Sequence, residues 1–181
     1  MRWTVHGERL VYGSKWMELF LSDVEIPGGA RFEHHLIRLH PSVAVAVLDN
    51  ADRVLMLWRH RITTDTWGWE LPGGSVEADE KPEQAALREA EEETGWRPHS
   101  VAELGYIQSM AGIARAEQHI FVAEGADYIG PPADSHESDR ISWIPLADVP
   151  DMIARRQIVG GASVVGLLQL CLASAAREKP R

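Results

Sequence analysis

Glu89, Glu92 and Glu93 stand at positions i, i+3 and i+4 of the run Arg88-Glu89-Ala90-Glu91-Glu92-Glu93-Thr94-Gly95. An α-helix turns about 100° per residue, so these side chains share an arc of about 100°. Carboxylates that close repel: two unit charges about 4 Å apart cost about 4 kcal/mol at an effective dielectric of about 20. A cation removes that cost. The groups on offer are hard oxygens with no Cys or His among them, which favours Mg²⁺ or Mn²⁺ over zinc. Arg88, four residues before Glu92, is placed to hold that carboxylate. The plainer alternative for a run of glutamates is a solvated acidic helix face.

The element that must carry these residues is a helix with both ends marked. Pro82 suits a first helical turn, where its missing N–H costs nothing. Gly95 suits the left-handed residue just past a helix end. Leu87, Ala90 and Thr94 are expected to meet the core. Ala85 and Ala86 fall on the glutamate side one turn earlier, where small side chains leave room for a loop. Ahead of this helix, Trp3–Tyr12, Trp16–Ile26 and Arg31–Leu39 read as strands, separated by Gly13-Ser14 and by Pro27-Gly28-Gly29. Ser42–Leu48 reads as a fully buried strand, and Asp49-Asn50-Ala51-Asp52 turns the chain into Val54–Trp58. After the helix, Val101–Ser109, Gln118–Ala123 and Arg140–Ile144 read as strands. Helices are expected from about Ala147 and about Ala162, the second with Val165, Leu168 and Leu172 on its buried face. Strands around one central helix, with further helices at the end, make an α/β sandwich.

Length and composition bound the partners. A chain of 181 residues, 45% hydrophobic and 25% charged, suits one domain with a sizeable core. The formal net charge of −9 argues against a nucleic-acid backbone. It leaves room for a small polyanion bridged by metal ions. Cys171 is the single cysteine, so no internal disulfide forms, and a reducing, cytoplasmic setting is expected. Its place inside an apolar helix suits an inert core thiol. No secretory signal is visible at the N-terminus. The uncharged stretch Ile158–Ala176 approaches membrane-spanning length, yet Gly160, Gly161, Ser163, Gly166, Gln169 and Ser174 dilute it. A buried helix is the expectation, with no membrane partner. His34 and His35 fit alternation across a strand better than a metal site.

The stretch GSVEADEKPEQAALREAEEETGW, Gly74 to Trp96, resembles the Nudix box, the signature of the Nudix hydrolases. Its fixed letters fall on Gly74, Glu80, Arg88, Glu89, Glu92, Glu93 and Gly95. At ordinary residue frequencies such a match arises by chance about once in 10⁶ chains of this length. Ala90 and Trp96 occupy slots where a branched aliphatic residue is usual. The flanking Arg59-His60-Arg61 and Trp69-Glu70-Leu71-Pro72-Gly73-Gly74, together with the N-terminal strands, resemble the ADP-ribose pyrophosphatase branch.

That resemblance implies an α/β/α sandwich with a mixed sheet, and an N-terminal antiparallel ribbon over residues 1–39 ahead of a catalytic region over 40–181. It implies a homodimer that exchanges ribbon strands, and Trp3, Val5, Leu10, Tyr12, Trp16, Leu19 and Leu21 supply apolar surface for one. The implied reaction is metal-dependent hydrolysis of a nucleoside diphosphate linked to a group X, such as ADP-ribose or a related nucleotide sugar. Glu89 and Glu93 are the implied principal metal ligands, joined by the Gly73 carbonyl. Glu92 is a further ligand or positions the attacking water, and Glu80 fixes the loop. A carboxylate beyond the box is the implied general base: Glu137 first, then Asp139, with Glu117 a third candidate. Arg59 and Arg61 suit a phosphate clamp or an alternating exposed strand end. Trp67 and Trp69 suit base stacking or core packing. Glu70 and Gly112 complete the expected substrate contacts. The branch usually carries a proline just before that glycine, whereas this chain reads Ser109-Met110-Ala111-Gly112. The alternatives are a hydrolase of nucleoside triphosphates or dinucleoside polyphosphates, and a nucleotide sensor without catalysis. A sensor is disfavoured by the complete set of box glutamates. An isomerase would want a cysteine in the central sheet, and Cys171 lies elsewhere.

Overall fold

The computed structural model describes residues 1–133 and 138–177. In chain order the elements are β1 (Thr4–Gly13), β2 (Met17–Glu25), β3 (Arg31–Leu39), β4 (Ser42–Leu48), β5 (Arg53–Arg61), β6 (Thr66–Glu70) and helix α1 (Pro82–Thr94). There follow β7 (Trp96–Pro98), β8 (Ala102–Gln108), β9 (Ala114–Arg115), β10 (Glu117–Glu124), β11 (Ala126–Tyr128), β12 (Arg140–Pro145), α2 (Val149–Ala154) and α3 (Gly161–Arg177). The chain divides into two compact units: residues 1–41 with 108–117, and residues 42–107 with 118–181.

The first unit is a four-stranded sheet in the order β1-β2-β3-β9. Its hairpins are antiparallel, with Phe20 opposite both Leu10 and Leu36. Cross-strand ion pairs join Arg9 to Glu33 and Arg38 to Glu8, and His6 is hydrogen-bonded to Glu25. Strand β1 is exposed along its whole length and carries register shifts at Val5/Gly7 and Leu10/Tyr12.

The second unit holds a mixed sheet in the order β12-β5-β4-β10-β8, with β6 paired to β5. Strand β4 runs parallel to β10, Ser42 opposite Gln118, while β5 runs antiparallel to β12. Successive side chains of a strand point to opposite faces, and β4 uses both. Val43, Val45 and Val47 pack with Leu55, Phe121 and the α1 residues Ala85, Ala86 and Ala90. Ala44 and Ala46 pack on the other side with Met56, Val149, Leu167 and Leu170. Helices therefore cover both faces, as the expected α/β/α sandwich requires. No helix among the described residues is long and apolar enough to cross a membrane.

Local details depart from expectation: the short strands β7, β9 and β11 were not expected, and three further departures concern β6 and the helix faces. Strand β5 continues to Arg61 and returns as β6, a short strand not expected from the sequence although Trp67 and Trp69 alternate with Thr66, Gly68 and Glu70. Ala85 and Ala86 are fully buried against the sheet, and Leu87 is only half-buried. The core face of α3 is Ser163, Gly166, Leu167 and Leu170, whereas Leu168 is 40% and Leu172 72% exposed. The cause is Gly166: a Cβ there would lie 2.7 Å from Ile120 Cγ2, so the helix meets the sheet along this stripe. A helix apolar nearly all round gives no sequence signal for that choice.

Candidate active site

The glycine-rich turn after β6 is held to the sheet by backbone hydrogen bonds. The Val43 N–H donates to Gly74 O and the Val45 N–H to Pro72 O, each at 2.8 Å. Contact this close requires glycine: a Cβ on Gly73 would lie 2.1 Å from the Val43 carbonyl oxygen. A Cβ on Gly74 would lie 2.4 Å from Glu89 Oε1, so the missing side chain admits the Glu89 carboxylate.

Helix α1 starts at Pro82, with the Lys81 N–H donating to Gln84 Oε1 at 3.0 Å. It ends at Gly95, whose φ is 72° and whose N–H donates to Glu91 O at 2.8 Å. The expected helix is thus found with both its end signals in place. Beyond it, the Ala133 N–H donates to Glu92 O at 2.9 Å, tying the following chain to the acidic end of the helix.

Each box glutamate has a protein partner. Glu93, with a side chain 4% exposed, accepts from Arg59 Nη2 at 2.7 Å on one oxygen and from the Gly73 N–H at 2.7 Å on the other. Arg88 Nη1 donates to Glu89 at 2.9 Å and to Glu92 at 3.0 Å. Arg88 Nε and Nη2 bind the two Glu80 oxygens at 2.9 Å, and Nη2 also reaches the Ser75 carbonyl at 3.1 Å. Glu80 in turn accepts the Glu77 N–H at 3.1 Å, the loop-fixing contact expected of it. The Arg88 guanidinium holds the Glu80 carboxyl below its ordinary value, and Glu80 raises Arg88 further. The carboxylates therefore do not simply face one another: Arg59 and Arg88 already offset their repulsion. Among the described residues, no group of three or more His, Cys, Asp or Glu side chains stands ready as a metal cage. The donor set still suits a hard divalent cation, since Glu89, Glu92 and Glu93 offer oxygens on one helix and neither sulfur nor imidazole competes.

The other expected residues distribute as follows. Arg59 is 3% exposed rather than at an open strand end. Arg61 Nε donates to both oxygens of Glu70, at 3.0 and 3.1 Å. Trp69 lies against Trp58, with centroids 5.4 Å apart, while Trp67 stacks on Trp58 and stays exposed. Gly112 and Glu117 belong to the first compact unit, where the Gly112 carbonyl accepts from His34 and Glu117 pairs with Arg115 at 2.7 Å. Glu137 lies outside the described residues. Asp139 is described, with its N–H donating to Trp58 O at 2.9 Å. Sequence reasoning missed Arg140, whose guanidinium carbon lies 5.2 Å from the Trp69 ring centroid and 5.8 Å from that of Trp58. Only the strand register, Arg140 opposite Trp58, brings it there. Cys171 is half-buried, its thiol directed to Leu146 O at 3.7 Å, and burial pushes its pKa up.

The second unit is thus a mixed sheet between helices, with glutamates of α1 turned toward a glycine-rich turn. The model described as the NUDIX domain matches residues 38–159. The chain belongs to the Nudix family and is a pyrophosphohydrolase. It is 41% identical over 180 residues to a CMP-5'-(N-acetyl-N-hydroxy-3-aminopropyl)phosphonate hydrolase of Streptomyces rubellomurinus, covering 99% of this chain and 87% of that protein. It is 25% identical to an ADP-ribose pyrophosphatase of Bacillus subtilis, covering 91% of this chain and 90% of that one. A crystal structure of an ADP compounds hydrolase superposes with a TM-score of 0.83 at 18% identity, covering 99% of this chain and 98% of the other. That likeness shows the fold. Nudix hydrolases generally use divalent metal ions.

Proposed function

We propose that this protein cleaves, with Mg²⁺ or Mn²⁺, the phosphoanhydride joining a nucleoside 5'-phosphate to a second phosphorus that carries a group X. A nucleoside monophosphate and a phosphorylated X leave. The observation that carries the reading is the placement of Glu89, Glu92 and Glu93 on α1 beside the Gly73–Gly74 turn, in a helix whose arginine partners hold the carboxylates in position. Glu89, Glu93 and the Gly73 carbonyl would hold the metal, with Glu92 a further ligand or the group that orients water. When bound, the ion supplies neutralisation of the diphosphate and a lowered pKa for a coordinated water. The chain itself fixes the carboxylates: Gly73 N–H and Arg59 set the Glu93 rotamer, and Arg88 sets Glu89 and Glu92. Glu137 is the proposed general base, and Arg61, Glu70 and Trp69 the proposed substrate contacts.

The names of the two curated relatives support the substrate class, since both describe a nucleotide joined to a further group through phosphorus. ADP-ribose and related nucleotide sugars fit it. A phosphonate as the second phosphorus fits it too, favoured by the 41% identity to the phosphonate hydrolase. The test compares kcat/KM for ADP-ribose, other nucleotide sugars, a CMP-linked phosphonate and nucleoside triphosphates at equal Mg²⁺, with products identified. A triphosphate or dinucleoside polyphosphate that wins by about tenfold, about 1.4 kcal/mol of transition-state preference, overturns the reading.

A further inference from the structure

We propose that Arg59 is a positioning residue that serves as the resident counter-cation of the metal site, competing with the divalent ion for Glu93. The inference rests on the reading of Glu93 as a metal ligand. Glu93 is the buried member of the glutamate set: its side chain is 4% exposed, against 15% for Glu89 and 43% for Glu92. A carboxylate removed from water needs a compensating charge. Arg59 supplies it at 2.7 Å from a guanidinium that is itself 3% exposed. The other oxygen of Glu93 accepts the Gly73 N–H, on the turn expected to contribute a metal ligand. A divalent ion bound by Glu93 therefore arrives beside a positive charge already paired with the same carboxylate. Two cations sharing one carboxylate repel, so the ion must displace Arg59 or bind against it. Arg59 grows from β5, which is paired with β4, β6 and β12. Its backbone is thus held by the sheet, and only its side chain can yield.

This competition separates Arg59 from a purely structural ion pair. A structural pair lowers stability equally, with or without metal, when it is broken. A competing cation, once removed, leaves a buried carboxylate that the divalent ion relieves, so metal binding tightens. The experiment is a Mg²⁺ titration by calorimetry, with thermal unfolding in EDTA and in Mg²⁺, on the full chain and on Arg59→Met and Glu93→Gln. Arg59→Met is expected to melt lower in EDTA and to bind Mg²⁺ at least about tenfold more tightly than wild type, about 1.4 kcal/mol. Its Mg²⁺-induced rise in Tm is then larger than that of wild type. Unchanged or weaker Mg²⁺ binding by Arg59→Met, in a wild type that does bind Mg²⁺ through Glu93, overturns the competition and leaves the ligand reading intact. Undiminished binding by Glu93→Gln, or none by wild type, sinks the ligand reading and the competition with it. Should Arg59→Met fail to fold, the guanidinium nitrogen resonances of Arg59 in wild type, assigned by comparison with Arg59→Lys, decide the matter. They shift and exchange faster at saturating Mg²⁺ if Arg59 is displaced, and unchanged resonances overturn the proposal.

Discussion

Gly73 and Gly74 are adjacent, yet a methyl group added to each meets a different obstacle. At Gly73 it meets the backbone of β4 at 2.1 Å, which cannot give way. Gly73→Ala should cost stability of about 1–3 kcal/mol as the turn is pushed off the sheet. At Gly74 it meets the end of the Glu89 side chain at 2.4 Å, which can rotate. Gly74→Ala should melt near wild type while losing about a hundredfold in turnover, because Glu89, a proposed metal ligand, is misplaced. Denaturant melts and kcat on the pair check the contrast; equal losses of stability would refute it. Glu93→Gln should lower kcat by about a hundredfold or more. It should also lower stability, by up to about 3–5 kcal/mol, since it removes the charge opposite a buried guanidinium. Reasoning from charge repulsion alone leads to the opposite expectation for stability. The box spacing made the glutamate set legible, since one helix carries it all. The pairing of Arg59 with Glu93 was not legible, because only strand order brings β5 beside α1. For the proposed base, Glu137→Gln should slow the chemical step by about 10²–10⁴ with KM little changed. A large loss in Asp139→Asn alone moves the role to that residue.

Helix α1 and its leading loop act as one element because Arg88 ties Glu80 to Glu89 and Glu92. Glu80 has a carboxyl pKa depressed below its ordinary value of 4.5 by that guanidinium. A depressed carboxylate contributes stability above its unfolded pKa, and that contribution fades as pH falls through the folded value. Wild type should therefore be more stable than Glu80→Gln near neutrality, with the gap closing as pH falls below the ordinary glutamate value and through the depressed one. Melting curves from pH 7 to pH 3 test this, and a gap that widens on acidification rules it out. Element by element, α1 was readable from Pro82 and Gly95, and β4 from its unbroken apolar run. The buried face of α3 was not, because its apolar residues surround the helix and a contact with Ile120 at Gly166 selects the stripe. Strand β6 was missed although Trp67 and Trp69 alternate with polar residues and glycine, because five residues are too few for that pattern to stand out.

For the molecule as a whole, the exposed β1 is the feature without a local explanation. Trp3, Val5, Leu10, Val11, Tyr12 and Trp16 are each at least 44% exposed, an apolar surface that suits a second copy of the chain. The homodimer we propose should appear by light scattering at micromolar concentration. Leu10→Lys with Tyr12→Lys should shift it toward monomer, and a wild-type monomer would falsify the assembly. The parallel pairing of β4 with β10 has a different consequence, in time rather than in space. Ser42 and Gln118 are far apart in the chain, so their pairing closes a long loop, and such non-local contacts slow folding. Helix α1 and the Glu80–Arg88 ties are local and can form early. The Gly73–Gly74 turn cannot settle until β4 offers the amides of Val43 and Val45. On refolding from denaturant, helical signal should therefore return first, and the recovery of catalytic competence should trail it.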